Sequence, residues 1–105
     1  MVTRGVEMID AERRRQIIKE GWTQEHDDEH QTGEMAMAAA CYAVYPRTDI
    51  VEKLWPWKLK WWKPSYRLAN LVKAGALIAA EIDKVLRDNV PEDNGRSEKV
   101  DSSHP

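Results

Sequence analysis

The chain has 105 residues, with 16 Lys and Arg against 18 Asp and Glu and a formal net charge of −2. This length allows one domain, and the balanced charge excludes the broad positive field that drives general nucleic-acid binding. A single cysteine, Cys41, excludes an intrachain disulfide, and no apolar run reaches the roughly 20 residues of a membrane span. Because the first residues also lack an apolar signal core, we expect a cytoplasmic protein that does not bind membranes.

The first predicted element is an amphipathic helix over residues 6–20, which Gly21 ends. Its apolar stripe is thin: Val6, Ile9, Ile17 and Ile18. The arginines at positions 13–15 are balanced by nearby acids, so we interpret them as part of a solvated face. Residues 21–32 are polar and acidic, without periodicity, and predict a loop.

A second helix is predicted over residues 33–45, with Thr32 as its N-cap and Pro46 marking its end. The segment is rich in alanine and has almost no polar face, so we expect it to be the buried helix, with Cys41 as an inert thiol. A helix that is apolar on nearly every side has more surface than one intramolecular layer can cover. We therefore predict a homo-oligomer.

The connection to the last helix holds the most unusual feature of the sequence. Asp49 is a candidate cap for a short turn over residues 51–54. The Trp-rich segment, residues 54–64, then carries four of the five tryptophans, three lysines and a proline near each end. Its prolines predict irregular structure.

The last helix is predicted from about residue 65 to about residue 89. Nine residues at three- and four-residue spacing predict one apolar face: Leu68, Leu71, Val72, Gly75, Ile78, Ala79, Ile82, Val85 and Leu86. The small residues Gly75, Ala76, Ala79 and Ala80 would allow another helix to approach closely. Residues 91–105 contain one apolar residue, Val100, and predict a disordered tail. The fold class is therefore all-α: a three-helix unit in residues 1–90 with a long Trp-rich connection.

Two interpretations of the Trp-rich segment stay open. In the first, Trp55, Trp57 and Trp61 are lids that cover the open side of a small bundle. In the second, the indoles line a pocket whose polar end is the start of the last helix, where free N–H groups and cationic side chains favour a phosphate. The candidate ligand-binding residues are Trp22, His26, Trp55, Trp57, Trp62, Lys63, Arg67, Asn70 and Lys73.

The acidic loop and the residue that opens the second helix contain ligand types for Zn²⁺, Mn²⁺ or Mg²⁺. The candidate metal ligands are Glu25, His26, Asp27, Asp28, His30 and Glu34. The alternative is a solvated loop in which Asp27 or Asp28 caps a turn and His26 packs on Trp22. No glycine-flanked serine and no phosphate-cradling glycine loop occurs, so no residue is assigned a catalytic role.

Several motifs together resemble a group of small, functionally uncharacterised phage and prophage proteins. They are Gly21-Trp22-Thr23-x-Glu25-His26-Asp27-Asp28, Trp55-Pro56-Trp57, Trp62-Lys63-Pro64 and Asn70-Leu71-Val72-Lys73-Ala74-Gly75-Ala76-Leu77-Ile78. The resemblance covers about residues 8–87 and implies a phage origin without specifying an activity.

The layout of a Glu-Arg-x-x-Gln stretch, a Gly-Glu helix and a Leu-Val-x-Ala-Gly helix is similar to the MazG-like nucleotide pyrophosphohydrolases. That resemblance implies an all-α fold and Mg²⁺ held by two acidic motifs. Here only Glu34 matches the first motif, and Asn70 and Lys73 stand where the second would lie. Two-metal phosphoryl chemistry needs several carboxylates, so the departure favours binding over catalysis.

Three functional hypotheses follow. The first is a binder of a nucleotide-like or other phosphorylated small ligand, in the manner of phage anti-defence proteins that sequester host immune signals. The second is a protein-interaction module that uses the Trp-rich segment. The third is a MazG-like pyrophosphohydrolase that depends on Mg²⁺ or Mn²⁺.

Overall fold

A computed structural model describes residues 1–21 and 33–89, and all regular structure in this part of the chain is helical. The elements are α1 (Arg4–Glu20), α2 (Glu34–Val44), α3 (Thr48–Leu54), a single 3₁₀ turn (Leu59–Trp61) and α4 (Arg67–Asn89). The all-α prediction is confirmed. The structure adds one short helix, α3, where the sequence predicted only a turn. The predicted acidic loop and C-terminal tail lie outside the described residues.

Both ends of α1 are set by local capping. The Thr3 hydroxyl accepts a hydrogen bond from the Val6 N–H at 3.4 Å, so the helix begins two residues before the predicted start. Gly21 adopts a left-handed conformation with φ 72° and donates its N–H to the Gln16 carbonyl. The prediction that Gly21 ends this helix is confirmed.

Helix α2 is one residue shorter at each end than predicted. Gly33 has φ 84° and therefore occupies the N-cap position outside the helix, while Tyr45 is extended at ψ 133°. The predicted cap, Thr32, lies outside the described residues. The side chains of α2 form half of the buried apolar core, namely Met35, Ala38, Ala39, Cys41 and Tyr42.

The reason given above for an oligomer does not hold for α2. This helix packs against both α4 and α3, and none of its residues is exposed. Trp55, Trp57 and Trp62 pack against the same core and cover it further. One chain thus covers α2, and oligomerisation stays a prediction that needs another surface.

The apolar face predicted for α4 is not the side that is most buried. Six of its nine residues are 37–53% exposed: Leu68, Leu71, Ile78, Ile82, Val85 and Leu86. The buried side consists instead of Asn70, Ala74, Ala76, Leu77, Ala80 and Lys84. The small alanines allow α2 to approach α4 closely, and this close packing decides which side faces the core.

Helix α1 packs on α4 at Gly75. A Cβ atom placed there would lie 2.5 Å from Cδ1 of Ile9, closer than any real contact. The prediction that Gly75 allows another helix to approach is therefore confirmed, and the partner is α1. None of the described helices is long and apolar enough to cross a membrane.

Candidate functional site

The Trp-rich segment folds back over the end of α2 and forms an aromatic cluster. Trp62 lies 4.7 Å from Tyr42 and 4.9 Å from Trp55 between ring centroids. Trp57 meets Trp55 edge to face at 5.4 Å, and Tyr45 contacts Trp62 at 5.9 Å. These separations are typical of favourable aromatic pairs, so the cluster holds the segment against the bundle.

Two hydrogen bonds also hold the segment in place. The Trp55 indole donates Nε1–H to the Lys58 carbonyl at 3.1 Å, which closes the turn between them. The Lys63 N–H donates to the Tyr42 hydroxyl at 3.3 Å, which ties the far end of the segment to α2. Burial raises the pKa of the Tyr42 phenol, so this oxygen stays a neutral acceptor over a wide pH range.

Beside this cluster lies a cleft with a volume of about 700 Å³, within the size range of small-molecule sites. Helices α1, α2 and α4 and the Trp-rich segment all contribute to its walls. The residues that line it are Arg15, Gln16, Glu20, Tyr42, Trp55, Pro56, Trp57, Lys58, Lys60, Trp61, Lys63, Lys73 and Leu77.

The cleft lining is predominantly cationic. Among the described residues it contains four lysines and Arg15 against one acid, Glu20. Arg15 lies 2.9 Å from Glu20 and 2.8 Å from Glu12, so the one lining carboxylate in the described part of the chain is already ion-paired. The lysines therefore dominate the local charge and favour an anionic occupant.

Lys73 is the least solvated of these lysines. Its ammonium lies 4.9 Å from the centroid of the Tyr42 ring, a cation–π contact. Burial lowers the pKa of this ammonium, and the nearby Glu12 and Glu20 carboxylates only partly offset that effect. Among the described residues no acceptor forms a hydrogen bond or ion pair with it. Lys73 is thus a cation that an anionic ligand would stabilise.

Trp61 contrasts with the indoles of the cluster. Its residue is 55% exposed and the Lys60 ammonium lies 5.2 Å from its ring centroid. Trp55 and Trp57 are only partly exposed and pack on the core while also lining the cleft. The two interpretations of the segment therefore both apply to Trp55 and Trp57, whereas Trp61 does not act as a core lid.

The structure brings four of the candidate ligand-binding residues to the cleft: Trp55, Trp57, Lys63 and Lys73. Trp62 lies behind it in the aromatic cluster. Trp22 and His26 lie outside the described residues.

The start of α4 is not the floor of the cleft. The Arg67 guanidinium donates to the Ala43 carbonyl at 3.0 Å and so ties α4 to the end of α2. Asn70 is buried, and its amide bonds both to the Ser65 N–H at 2.7 Å and to the Ser65 carbonyl at 2.9 Å. Both residues hold the chain at the entry to α4. The polar lining comes instead from Lys73, one turn further along, from α1 and from the lysines of the Trp-rich segment.

The candidate metal ligands Glu25, His26, Asp27, Asp28 and His30 all lie outside the described residues. Glu34 opens α2, where a carboxylate favours the helix N-terminus. Within residues 1–21 and 33–89 no group of three or more His, Cys, Asp or Glu side chains is placed to hold a metal ion.

Sequence reasoning missed several lining residues. Arg15 and Glu20 were interpreted as a solvated face, because charges three to five residues apart on a helix pair with one another. Lys58 and Lys60 carried a signal, since they alternate with the tryptophans, whereas no sequence pattern marked Gln16 or Leu77. Comparison of the chain with protein-family models, curated protein sequences and solved structures finds no match.

Proposed function

We propose that the protein binds a small anionic ligand that carries a planar ring, such as a nucleotide, in the cleft beside the Trp-rich segment. The observation that carries this proposal is the union of an aromatic wall and a cationic lining in one cavity of about 700 Å³. Such a cavity is large enough to enclose most of a ligand of nucleotide size.

The aromatic wall supports a flat ligand. Trp61 is exposed at the edge of the cleft, so a base can stack on it without first displacing a core contact. Stacking of a base on an aromatic side chain contributes about 1–3 kcal/mol and tolerates any base, because every base has a π face. Trp55 and Trp57 are held by their edge-to-face contact and provide a rigid wall behind.

The cationic side chains of the lining support the proposal that the ligand carries a phosphate. Lys73 lies at the α4 side of the cleft, and Lys58, Lys60 and Lys63 lie along the segment. A hydrogen bond to a charged group contributes about 1.5–3 kcal/mol, and more where solvent is partly excluded. A phosphate beside Lys73 would compensate the charge that burial disfavours there, so binding would raise the pKa of that lysine.

The biological setting of the proposal comes from the phage-type motifs. A phage protein that binds a nucleotide-like signal without consuming it would act by sequestration, as an anti-defence protein. This role requires a ligand affinity that matches the signal concentration in the host, and calorimetric titration of the ligand measures that affinity.

Isothermal titration calorimetry against a panel of mononucleotides, cyclic dinucleotides, ADP-ribose and inorganic pyrophosphate tests the proposal. We expect one member with a planar ring to bind, and Lys73→Met to weaken it about 10- to 100-fold, since this variant loses one charged contact. Trp61→Ala should weaken it by a similar factor. Lys53→Met on α3 is the matched control, because Lys53 is exposed and does not line the cleft. Absence of heat with every member, or equal effects of the two lysine substitutions, would contradict the proposal.

A protein-interaction module is a second candidate, favoured by one specific observation. Leu59 and Trp61 are both largely exposed, on the 3₁₀ turn at the tip of the Trp-rich segment. Exposed aromatic and aliphatic residues side by side are typical of hot spots. Capture of a host protein that Trp61→Ala abolishes and Lys73→Met leaves intact would favour this function over ligand binding.

A further inference from the structure

Gln16 lies at the wall of the cleft, and one of its polar atoms has no partner. The residue is fully buried, yet it lines the cleft together with Lys73 and Leu77 of α4. Its Oε1 accepts no hydrogen bond from the described residues. A buried acceptor without a partner is costly and rare in folded proteins. Its position at the cleft indicates that a ligand provides the missing donor.

Glu12 fixes the orientation of the Gln16 amide. The Nε2 group of this amide donates to the Glu12 carboxylate at 3.3 Å. A hydrogen bond from Arg15 lowers the pKa of the Glu12 carboxyl, so it is ionised at neutral pH and can only accept. A reversed amide would place two acceptor oxygens against each other. The amide nitrogen therefore faces Glu12, and Oε1 is the atom that stays free for a ligand.

The other polar side chains of the described lining either have partners or can only donate. The Glu20 carboxylate is ion-paired with Arg15 at 2.9 Å, and the Tyr42 hydroxyl accepts a hydrogen bond from the Lys63 N–H. The lining lysines are donors. Within the described part of the chain, Gln16 Oε1 is thus the buried side-chain acceptor of the cleft that has no hydrogen bond, and it requires an N–H or O–H group on the ligand.

A purine ring with one amino group fits this acceptor. Amide side chains recognise adenine through its exocyclic amino group, which donates to the amide oxygen. Adenine has no other donor on its base edges, and its ring nitrogens are acceptors that suit the lysines. Guanine carries an additional ring N–H, which would need a second free acceptor. Cytosine also carries one amino group, but its single ring covers less of an indole face than the two rings of a purine.

We propose that Gln16 is a specificity-determining residue of the cleft and that its Oε1 accepts a hydrogen bond from the amino group of an adenine ring. This inference rests on the proposed function, because it names the ring of the ligand that the cleft binds. Since Gln16 has no surface exposed to solvent, a lining side chain shifts when the amino group bonds to it. Flexible side chains such as Lys73 line the same cleft, and rotamer changes of this kind are common on binding.

Two nucleotides that differ in one group test the proposal. Purine riboside 5′-monophosphate is identical to adenosine 5′-monophosphate (AMP) except that a hydrogen replaces the amino group. In calorimetric titration the wild-type chain should bind AMP about 10- to 100-fold more tightly, because the analogue leaves Oε1 without a donor. Gln16→Met removes the acceptor and keeps a side chain of similar volume, so this variant should bind the two nucleotides equally.

Lys73→Met is the matched variant, because it removes a contact to the phosphate and leaves the Gln16 amide in place. It should weaken both nucleotides by the same factor and keep the preference for AMP. Far-UV circular dichroism checks that both variants stay helical. The comparison of the two nucleotides on the wild-type chain needs no variant, so it decides the proposal even if Gln16→Met fails to fold.

Equal affinity of the wild-type chain for AMP and its analogue would overturn the proposal. A preference for AMP that Gln16→Met retains would overturn it too. If another nucleotide of the panel binds and AMP does not, the assignment of Gln16 to an adenine ring is wrong, whereas the ligand site in the cleft stands. If no member of the panel binds, the proposed function itself fails and this inference fails with it.

Discussion

The contact between Gly75 and Ile9 makes an unusually sharp stability prediction. In most helix interiors, replacing glycine with alanine stabilises the helix by about 0.8–1.0 kcal/mol. At Gly75 the new Cβ would lie 2.5 Å from Ile9 Cδ1 and 2.8 Å from its Cγ1. Overpacking of this kind costs about 1–3 kcal/mol. The two effects together predict that Gly75→Ala lowers the free energy of unfolding by about 0–2 kcal/mol.

Removal of the Ile9 side chain should reverse the sign of the effect that Gly75→Ala has on the free energy of unfolding. In an Ile9→Ala background the short contacts to Cδ1 and Cγ1 disappear. Gly75→Ala should then raise the free energy of unfolding by about 1 kcal/mol. The coupling energy between the two positions is therefore predicted at about 1–3 kcal/mol. Gly5→Ala is the matched control, because Gly5 is also helical and its nearest neighbour, Thr3 Oγ1, lies 4.0 Å from the added carbon. This control should not destabilise the protein.

The wild type, the two single variants and the double variant form a double-mutant cycle. Urea unfolding followed by circular dichroism measures the stability of these four proteins and of the Gly5→Ala control. All samples are compared at one protein concentration, since self-association would make the midpoint concentration-dependent. If Gly75→Ala stabilised the wild-type chain as much as the Ile9→Ala chain, the close approach of α1 and α4 would be refuted. Equal destabilisation in both backgrounds would refute it as well.

Three further predictions concern buried or ion-paired polar groups. Gln16 is fully buried, and its carbonyl accepts no hydrogen bond from the described residues. Gln16→Met relieves that cost of about 1–3 kcal/mol and loses a bond of about 1.5–3 kcal/mol to the Glu12 carboxylate, so the two effects should largely offset each other and leave the urea midpoint nearly unchanged. The hydrogen bond from Arg15 is the main cause that lowers the pKa of the Glu12 carboxyl below 4.5. The stability that the ionised carboxylate contributes is therefore complete above pH 4.5 and is lost as the pH falls through the lowered pKa. Glu12→Gln should therefore flatten the acid side of the stability–pH curve, and an unchanged slope would count against the ion pair. Asn70→Leu removes both bonds to Ser65 and should cost about 2 kcal/mol in urea unfolding, whereas an unchanged midpoint would show that these bonds contribute nothing net.

The long helices could be predicted from the sequence to within two residues because their ends carry local signals. The left-handed conformation that ends α1 favours glycine, and Gly21 adopts it. Gly33 adopts the same conformation and therefore lies just outside α2. The start of α4 was predicted two residues early for an equally local reason. The side chain of Asn70, in the first turn of α4, bonds to both backbone polar groups of Ser65, so Ser65 is satisfied without joining the helix.

The side of α4 that faces the core could not be predicted from periodicity. Apolar residues occupy more than half of its circumference, so the pattern contains two candidate faces. The larger residues marked one face and the alanines the other, and the alanine face became the core because it allows closer packing. The aliphatic face that the core does not use stays partly exposed in the single chain.

Part of the cleft could be predicted, because the tryptophans and lysines are adjacent in the sequence. The contribution of α1 could not be predicted, because Arg15 pairs with Glu12 and Glu20 on its own helix and has the pattern of an ordinary surface network. Only the packing of α1 on α4 brings these charges opposite the Trp-rich segment. Tertiary contacts of this kind leave no periodic signal in a single sequence.

Two polar side chains of α4, Asn70 and Lys73, differ in how their polar atoms are satisfied. The amide of Asn70 is satisfied at both ends by one backbone residue, so its role in the fold is complete without a ligand. Lys73 lies one turn further along, and its half-buried ammonium is held over Tyr42 at a cost that burial imposes on the charge. The cost therefore makes sense if an anion enters the cleft, and for this reason Lys73, rather than Arg67 or Asn70, is the residue on which the ligand proposal depends.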